Sequence, residues 1–357
     1  MRAALQIGPG QWTRPDGVAQ TLALVQQAER LDYDTLWATE DPDGWDAFAV
    51  LASLGPQTGS IRLGSGVVNP YMRHPNLIAA SIATLDRASS GRAFLGLGRG
   101  EPDWYRTAFD MPVGSPLKRV RTTIDLLHQW WQPTQTARSS REITVRAWQR
   151  DFPPLTVPPI YVAAVGPKMM ALAGELGDGI RFNSLASPNL ISQGIATARA
   201  AAIRADRDPD ALRSFVAPAV TITTSAREYR AAIDRAKDTI ASILVLPGMD
   251  RQLLGLEQQF DLEQMLGDVR AVMHTNEILA RGGSFAELRA AGDLPAARNL
   301  IPDDLVLAVA AIGDLATVRG RLAALAGSGV TDCFIAPAQF ELLQSDPLFG
   351  PIGPRNN

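Results

Sequence analysis

Short β-rich segments alternate with amphipathic helical segments along the chain, and this alternation constrains the fold most. In the first hundred residues the pattern predicts four strands, at 2–7, 34–39, 61–68 and 93–97. The segments between them have the apolar spacing of helices, at 16–31, 45–54 and 75–88. Strands that alternate with helices in this way pair in parallel through right-handed crossovers.

The alternation continues more loosely to the end of the sequence. Four further strands are predicted at 159–163, 180–183, 215–222 and 332–335, and a possible extra strand outside the series lies at 143–148. Residues 250–299 are mainly helical and acidic and fit no strand–helix unit. We therefore expect one α/β domain over 1–357, a (β/α)8 TIM barrel with a helical insertion between strands 7 and 8. A doubly wound open sheet is the alternative, and the strand count argues against it.

Charge and residue usage exclude several classes of partner. The chain has 34 Lys and Arg against 37 Asp and Glu, a net charge of −3, which argues against nucleic acid. A single cysteine, Cys333, allows no internal disulfide and fits a reducing, cytoplasmic location. The three histidines are far apart in the sequence, so no metal site is predicted. We expect neither a signal peptide nor a membrane span, because no long uncharged apolar run is present.

Glycines replace side chains near the ends of two predicted neighbouring strands. Gly64 and Gly66 lie inside the third strand, and Gly98 and Gly100 follow the fourth. Glycine inside a strand marks a bulge or the close approach of another group. Two adjacent strands that lack side chains at the same height predict a slot for a planar group. The alternative is a plain bulge in a barrel strand.

The loop after the fifth strand is the best candidate for an anion site. It runs through Ala164, Val165, Gly166, Pro167 and Lys168 into a helix. Proline suits the first helical position, and the free N–H groups of a helix start attract anions. An ordinary turn with a solvated lysine is the alternative.

Carboxyl groups stand at several strand ends, where a barrel of this kind places its active site. Glu101, after the fourth strand, could act as a general acid if burial raised its pKa, and it could instead flank a helix start. Glu40 and Asp41, after the second strand, could form a second acidic wall, or a solvated loop with a helix cap. Gln6 ends the first strand.

Three segments resemble the bacterial-luciferase-like flavin oxidoreductases. They are AERLDYDTLWATED, LGSGVVNPYMRHPNLIAASIATLDRASSGRAFLGLGRGE and PPIYVAAVGPKMMALAGELGDGIRFNS. The last of them resembles the branch that contains the deazaflavin-dependent methylenetetrahydromethanopterin reductases. The resemblance is good over 2–183 and moderate over 313–337.

The resemblance implies a (β/α)8 barrel, usually a homodimer, that binds coenzyme F-420 (a deazaflavin) or FMN. The ring would lie over a bulge at the third strand, with a non-proline cis peptide near Ser65, Gly66 and Val67, and a phosphate-bearing tail would follow the fifth strand. The implied cofactor residues are Gly64, Ser65, Gly66, Val67, Gly98, Ala164, Val165, Gly166, Pro167 and Lys168. Glu101 would occupy the acidic position after the fourth strand.

Substrate-facing positions depart from the family. The reductases carry glutamate where Gln6 stands, and related dehydrogenases carry Asp-His where Glu40 and Asp41 stand. We therefore predict an F-420-dependent oxidoreductase that transfers a hydride to or from a small organic substrate and is similar to the methylenetetrahydromethanopterin reductases. The alternatives are an FMN-dependent monooxygenase served by a partner flavin reductase, and a non-catalytic flavin-binding or sugar-phosphate-binding barrel.

Overall fold

A closed barrel of eight parallel strands forms the centre of the molecule, for which a computed structural model describes residues 1–132, 136–246 and 248–349. Within these ranges the strands are β1 (Arg2–Ile7), β2 (Thr35–Ala38), β3 (Arg62–Ser65), β4 (Ala93–Leu97), β5 (Thr136–Ser140), β6 (Thr144–Gln149), β7 (Ile160–Ala163), β8 (Gly179–Arg181), β9 (Arg213–Val216), β10 (Val220–Ile222), β11 (Ala311–Gly313) and β12 (Asp332–Phe334). The order around the barrel is β1-β12-β9-β8-β7-β4-β3-β2.

Helices surround the barrel and extend beyond it. They are α1 (Gly17–Arg30), α2 (Ala47–Leu54), α3 (Pro75–Ala88), α4 (Pro102–Thr107), α5 (Pro116–Trp131), α6 (Pro167–Leu176), α7 (Pro188–Arg204), α8 (Ala226–Leu244), α9 (Leu262–Val272), α10 (Thr275–Ala280), α11 (Phe285–Ala291), α12 (Leu294–Leu300), α13 (Asp303–Val309), α14 (Leu315–Gly327) and α15 (Pro337–Phe340). None of the helices in the described ranges is long and apolar enough to cross a membrane.

The structure confirms the barrel and corrects one of its strands. The predicted seventh strand, 215–222, is wrong as a single element, because β9 ends at Val216 and the chain resumes as β10 outside the barrel. Pro218 interrupts the segment, and proline has no N–H to give to a central ladder. β10 pairs instead with β11, which was not predicted. The extra strand predicted at 143–148 is real, and it forms a hairpin with β5 away from the barrel.

An aromatic layer fills the middle of the barrel. Its members are Trp37, Phe94, Tyr161, Phe215 and Phe334, which come from five different strands. Trp37 lies at its centre, with ring centroids 4.6 Å from Phe94 and 4.8 Å from Phe215. Such edge and tilted contacts are the favoured geometry of aromatic pairs. The layer closes the barrel, so any ligand must bind above it or below it.

A buried ion pair network lies on one side of this layer, at the N-terminal ends of the strands. Arg213, the first residue of β9, places Nε 3.0 Å from Oδ2 of Asp332 and Nη2 2.5 Å from Oδ2 of Asp34. Both carboxylates are buried. The guanidinium also lies 4.9 Å from the ring centroid of Phe215. Arg213 thereby ties β9 to β12 and to the residue before β2.

The insertion lies at the opposite, C-terminal end of the barrel. The predicted helical character of 250–299 is confirmed, and helices α9 to α12 supply no barrel strand. These helices pack with α8 and α13 around a second apolar core, separate from the core of the barrel. A carboxylate after β2 anchors them to the barrel, because Asp43 accepts a 2.8 Å hydrogen bond from the Ala286 N–H and lies 3.7 Å from Arg289.

Replacement of Arg213 tests the network. Arg213→Leu leaves Asp332 and Asp34 buried without a counter-ion, and we expect a loss of about 3–5 kcal/mol in the free energy of unfolding. Urea denaturation measures it. The matched control is Arg199→Leu, which breaks an exposed pair with Asp210 and should cost no more than about 1 kcal/mol. Equal losses in the two variants would contradict the role given to Arg213.

Candidate active site

A cavity of about 890 Å³ opens above the C-terminal ends of the barrel strands. Its walls come from the loops after β2, β3, β4, β7 and β8. Its roof comes from the segment after α8 and from the insertion, through Leu246, Gly248, Met249, Arg251 and Phe285. This is the end of a (β/α)8 barrel at which active sites form.

The floor of the cavity is a bulge after β3 beside the end of β4. The peptide bond between Gly66 and Val67 is cis, which confirms the prediction for this segment. Gly66 lies directly on the aromatic layer, where a Cβ atom would come 3.0 Å from the Cβ of Trp37. A Cβ on Gly98 would lie 2.7 Å from Cγ2 of Val67. Because both positions lack a side chain, the backbone packs closely against Trp37 and Val67, and Gly66, Val67 and Gly98 together line the floor of the cavity.

Two of the predicted cofactor residues do not border this cavity. A Cβ on Gly64 would lie 2.4 Å from the ring carbons of Phe94, so this glycine accommodates the aromatic layer beneath the floor. The fully buried Ser65 donates a 2.8 Å hydrogen bond from Oγ to the Gly96 carbonyl. Gly64 and Ser65 therefore pack beside the cavity lining, and the cofactor contact predicted for them stays a prediction.

The loop after β7 borders the cavity over its whole length, as the sequence indicated. Ala164, Val165, Gly166, Pro167 and Lys168 all line it. Gly166 is the N-terminal cap residue of α6, and a Cβ added to it would meet no atom within 4 Å. The first turn of α6 thus faces open space. A second cavity, of about 1130 Å³, shares Val165, Gly166 and Pro167 with the first, so a long ligand can continue past the helix start.

Glu101 lies at the mouth of the cavity, at the start of α4. Only 15% of its side chain is exposed, and burial raises its pKa to about 7. Arg99, with Nη2 3.8 Å from Oε1, opposes this rise, and Asp103 adds to it. The Glu101 N–H donates a 3.3 Å hydrogen bond to Oη of Tyr105, which fixes the backbone. The general-acid role predicted for Glu101 requires such a rise, and that role stays a prediction.

The acidic wall after β2 contains two carboxylates, Glu40 and Asp41, which differ in their hydrogen-bond and ion-pair partners. Glu40 forms a double hydrogen bond with Arg73, at 2.8 and 2.9 Å, and accepts a third from the Ala47 N–H at 3.0 Å. Arg73, which also pairs with Asp46, thus holds Glu40 within the protein although Glu40 borders the cavity. Asp41 also borders the cavity, and within the described residues no arginine forms such a bond with it. Desolvation and the neighbouring Asp43 raise its pKa, and Arg289 opposes this rise. Asp41 is thus the freer of the two carboxylates for a ligand.

Gln6 is not among the residues that line the cavity, but it contacts Arg181, a lining residue that was not predicted from the sequence. Its Oε1 accepts a hydrogen bond from Nη2 of Arg181, the last residue of β8. Arg181 lines the cavity and lies above the aromatic layer, with its guanidinium carbon 5.5 Å from the ring centroid of Trp37 and 5.2 Å from that of Phe334. Burial lowers its pKa to about 10. The available signal was one arginine within an apolar strand.

The roof carries an aromatic pair that the sequence did not point to. Trp104 of α4 and Phe285 of α11 both line the cavity, with ring centroids 5.8 Å apart. They meet because the insertion folds back over the helix after β4. In the described ranges, no group of three His, Cys, Asp or Glu residues is placed to hold a metal ion.

Comparison with known families agrees with this geometry. The family model of the luciferase-like monooxygenases matches residues 2–332, and the chain belongs to this family. It is therefore an enzyme of the oxidoreductase class, in a superfamily whose members include oxidoreductases and monooxygenases.

Several relatives match parts or most of the chain. A 5,10-methylenetetrahydromethanopterin reductase of Methanolobus tindarius is 33% identical over 194 residues, which cover 54% of this chain and 59% of that protein. The chain thus spans less than two thirds of that relative. The corresponding reductase of Methanopyrus kandleri is 25% identical over 90% of both chains. A Mycobacterium tuberculosis protein provisionally named a coenzyme F420-dependent oxidoreductase is 29% identical over 93% of both.

Solved structures show the same fold. The F420-dependent tetrahydromethanopterin reductase of Methanopyrus kandleri aligns with a TM-score of 0.75 at 22% identity, over 96% of this chain and 97% of that one. The oxygenating component of 3,6-diketocamphane monooxygenase from Pseudomonas putida, in complex with FMN, aligns with a TM-score of 0.65 at 17% identity, over 97% of each chain.

The raised pKa of Glu101 makes stability depend on pH. The folded-state pKa of about 7 exceeds the ordinary value of 4.5, so folding favours the protonated carboxyl. Its contribution is fully present below about pH 4.5 and is lost as the pH rises through 7. Glu101→Gln stays neutral at every pH. We expect this variant to gain roughly 3 kcal/mol over the wild type between pH 5 and pH 8, measured by urea denaturation. Parallel pH profiles would contradict the burial of a titrating carboxyl.

Proposed function

We propose that the protein is a coenzyme F420-dependent oxidoreductase that transfers a hydride between the deazaflavin and a small organic substrate. The observation that carries the proposal is the placement of Glu101, a buried carboxyl with a pKa near 7, at the mouth of a cavity floored by Gly66 and Gly98. The near-full-length relatives named as methylenetetrahydromethanopterin reductase and F420-dependent oxidoreductase support the choice of cofactor.

The residues around the cavity fit such a cofactor. Gly66, Val67 and Gly98 offer a flat floor for the ring, and the open first turn of α6 offers N–H groups to a phosphate. Lys168 adds positive charge at the same place. When bound, a reduced deazaflavin supplies the hydride. Loops after five strands and the roof around Phe285 enclose the reacting atoms and limit their contact with water.

Glu101 supplies or removes the proton that accompanies hydride transfer. A carboxyl with a pKa of about 7 is close to half protonated at neutral pH, so it can act as an acid in one direction and as a base in the other. Arg99 limits the rise of its pKa, which keeps the carboxyl in this range. Glu40 is held by Arg73, whereas Asp41 is a second carboxyl of the described cavity lining whose pKa is raised by burial.

On this proposal, the substrate differs from that of the methylenetetrahydromethanopterin reductases. Gln6 stands where the resemblance implies glutamate, and the charge of Glu40 is satisfied internally. Asp41 in the wall, Arg181 in the floor and Arg251 in the roof are charged groups of the described lining that can face a substrate. The methylenetetrahydromethanopterin activity of the relatives is therefore not assigned to this chain.

Binding of the two cofactors tests the proposal against its main alternative, an FMN-dependent monooxygenase. Coenzyme F420 and FMN are each titrated into the purified protein and followed by cofactor absorbance and fluorescence. We expect F420 to bind at least tenfold more tightly than FMN. Tighter binding of FMN, with oxygen-dependent turnover when a flavin reductase is added, would establish the alternative, and binding of neither would reject both.

Charge reversal at the helix start tests the position of the cofactor tail. Lys168→Glu places a negative charge beside the phosphate, so we expect weaker F420 binding, with the largest loss at low ionic strength. The control is Lys118→Glu, which reverses an exposed charge in the first turn of α5. Equal affinities of the wild type and Lys168→Glu at low and moderate salt would place the tail elsewhere.

Removal of the acid at Glu101 tests the mechanism. Glu101→Gln keeps the shape of the side chain, so F420 affinity should stay within a few-fold, while single-turnover oxidation of reduced F420 by a substrate should slow by about 10²–10⁴-fold. The dependence of the rate on a group of pKa near 7 should disappear as well. A variant rate within a few-fold of the wild type would remove Glu101 from the mechanism.

A further inference from the structure

Arg181 is a half-buried cation at the bottom of the cavity, and no ion pair is found for it among the described residues. Its Nη2 donates to the neutral amide oxygen of Gln6, and its Nε is shut off from water without a hydrogen-bond partner. Across the described ranges, no carboxylate lies within ion-pair distance of this guanidinium. The faces of Trp37 and Phe334 are the remaining polarisable neighbours identified for its charge.

Arg213 shows how the same barrel treats an arginine that has a structural role. It lies against the same aromatic layer from the other end, 4.9 Å from the ring centroid of Phe215. Two buried carboxylates, Asp332 and Asp34, neutralise it. The two arginines share an aromatic neighbourhood and differ in charge compensation. The uncompensated one is the one that lines the cavity.

The hydrogen-bond partner of Arg181, Gln6, is neutral and so does not compensate the charge of the guanidinium. Removing a charge from water is unfavourable unless an opposite charge or hydrogen bonds replace the lost hydration. Glutamate at this position would accept the same hydrogen bond from Arg181 and cancel its charge. The amide instead positions the guanidinium and leaves its charge available. A ligand in the cavity can then provide the compensation that the chain itself lacks.

We propose that Arg181 recognises an anionic group of the substrate, a carboxylate or comparable oxyanion, so that this enzyme acts on organic acids. This inference names the substrate class of the proposed function, and it rests on that proposed function for the reaction itself. Guanidinium and carboxylate match in geometry and can form two parallel charge-assisted hydrogen bonds. The anion would lie above the aromatic layer, at the bottom of the cavity whose mouth carries Glu101. Gln6 is a positioning residue in this arrangement.

Calorimetric titration of matched acids and amides tests anion recognition without turnover. The probes are benzoate, phenylacetate and cinnamate, each compared with its neutral primary amide, at pH 7.5 with and without saturating F420. We expect at least one acid to bind tenfold or more tightly than its amide. Arg181→Met should remove this preference, and Gln6→Glu should reduce it tenfold or more while the amides bind as before. The control is Arg204→Gln at the exposed end of α7, which should retain the preference.

The outcomes separate this proposal from the proposed function. No acid preference in the wild type, or a preference that survives in Arg181→Met, would overturn the role of Arg181 whether or not F420 binds. Failure to bind F420, with the acid preference present in the wild type and lost in Arg181→Met, would reject the proposed function and leave anion recognition standing. If Arg181→Met instead weakens only the binding of reduced F420, the anion belongs to the cofactor, and the substrate assignment is overturned.

Discussion

The buried pairing of Arg213 with Asp332 and Asp34 is the interaction beneath the whole active site. It lies at the N-terminal ends of the barrel strands and joins segments that are far apart in the sequence. The aromatic layer rests on it, with Phe215 in contact with the guanidinium. Gly66 in turn rests on Trp37 of that layer. The height and flatness of the cavity floor therefore depend on packing that begins at the far end of the barrel.

Local patterns in the sequence predicted the barrel because strand and helix periodicity are local properties. They failed where a distant residue decides the outcome. Gly64 and Gly66 look equivalent in sequence, since both point to the same side of a strand. The two positions are two residues apart, and this step places Gly64 against Phe94 and Gly66 at the cavity floor. The depth of a position in a barrel is set by its neighbours on other strands, which no short pattern records.

The acidic residues illustrate the same limit for chemistry. Glu40 and Glu101 both follow barrel strands, and a role at the active site was predicted for each. Arg73, from another loop, pairs with Glu40, whereas Glu101 is desolvated and has Arg99 at 3.8 Å as its ion-pair partner. Arg181 was not predicted as a site residue, because its role depends on the lack of a paired carboxylate among its described neighbours. Such an absence becomes visible only when the neighbours are known.

The roof of the cavity has a different origin from its floor. Residues that hold the cofactor-sized floor belong to the barrel, whereas Phe285 and Arg251 come from a contiguous stretch of helices with its own apolar core. That stretch meets the barrel loops through the hydrogen bond from Ala286 to Asp43, the hydrogen bond from Ser187 to Leu254 and the aromatic contact between Phe285 and Trp104. A sequence change within this stretch therefore alters the shape of the roof, and with it the molecules that fit, while the floor residues Gly66 and Gly98 stay the same.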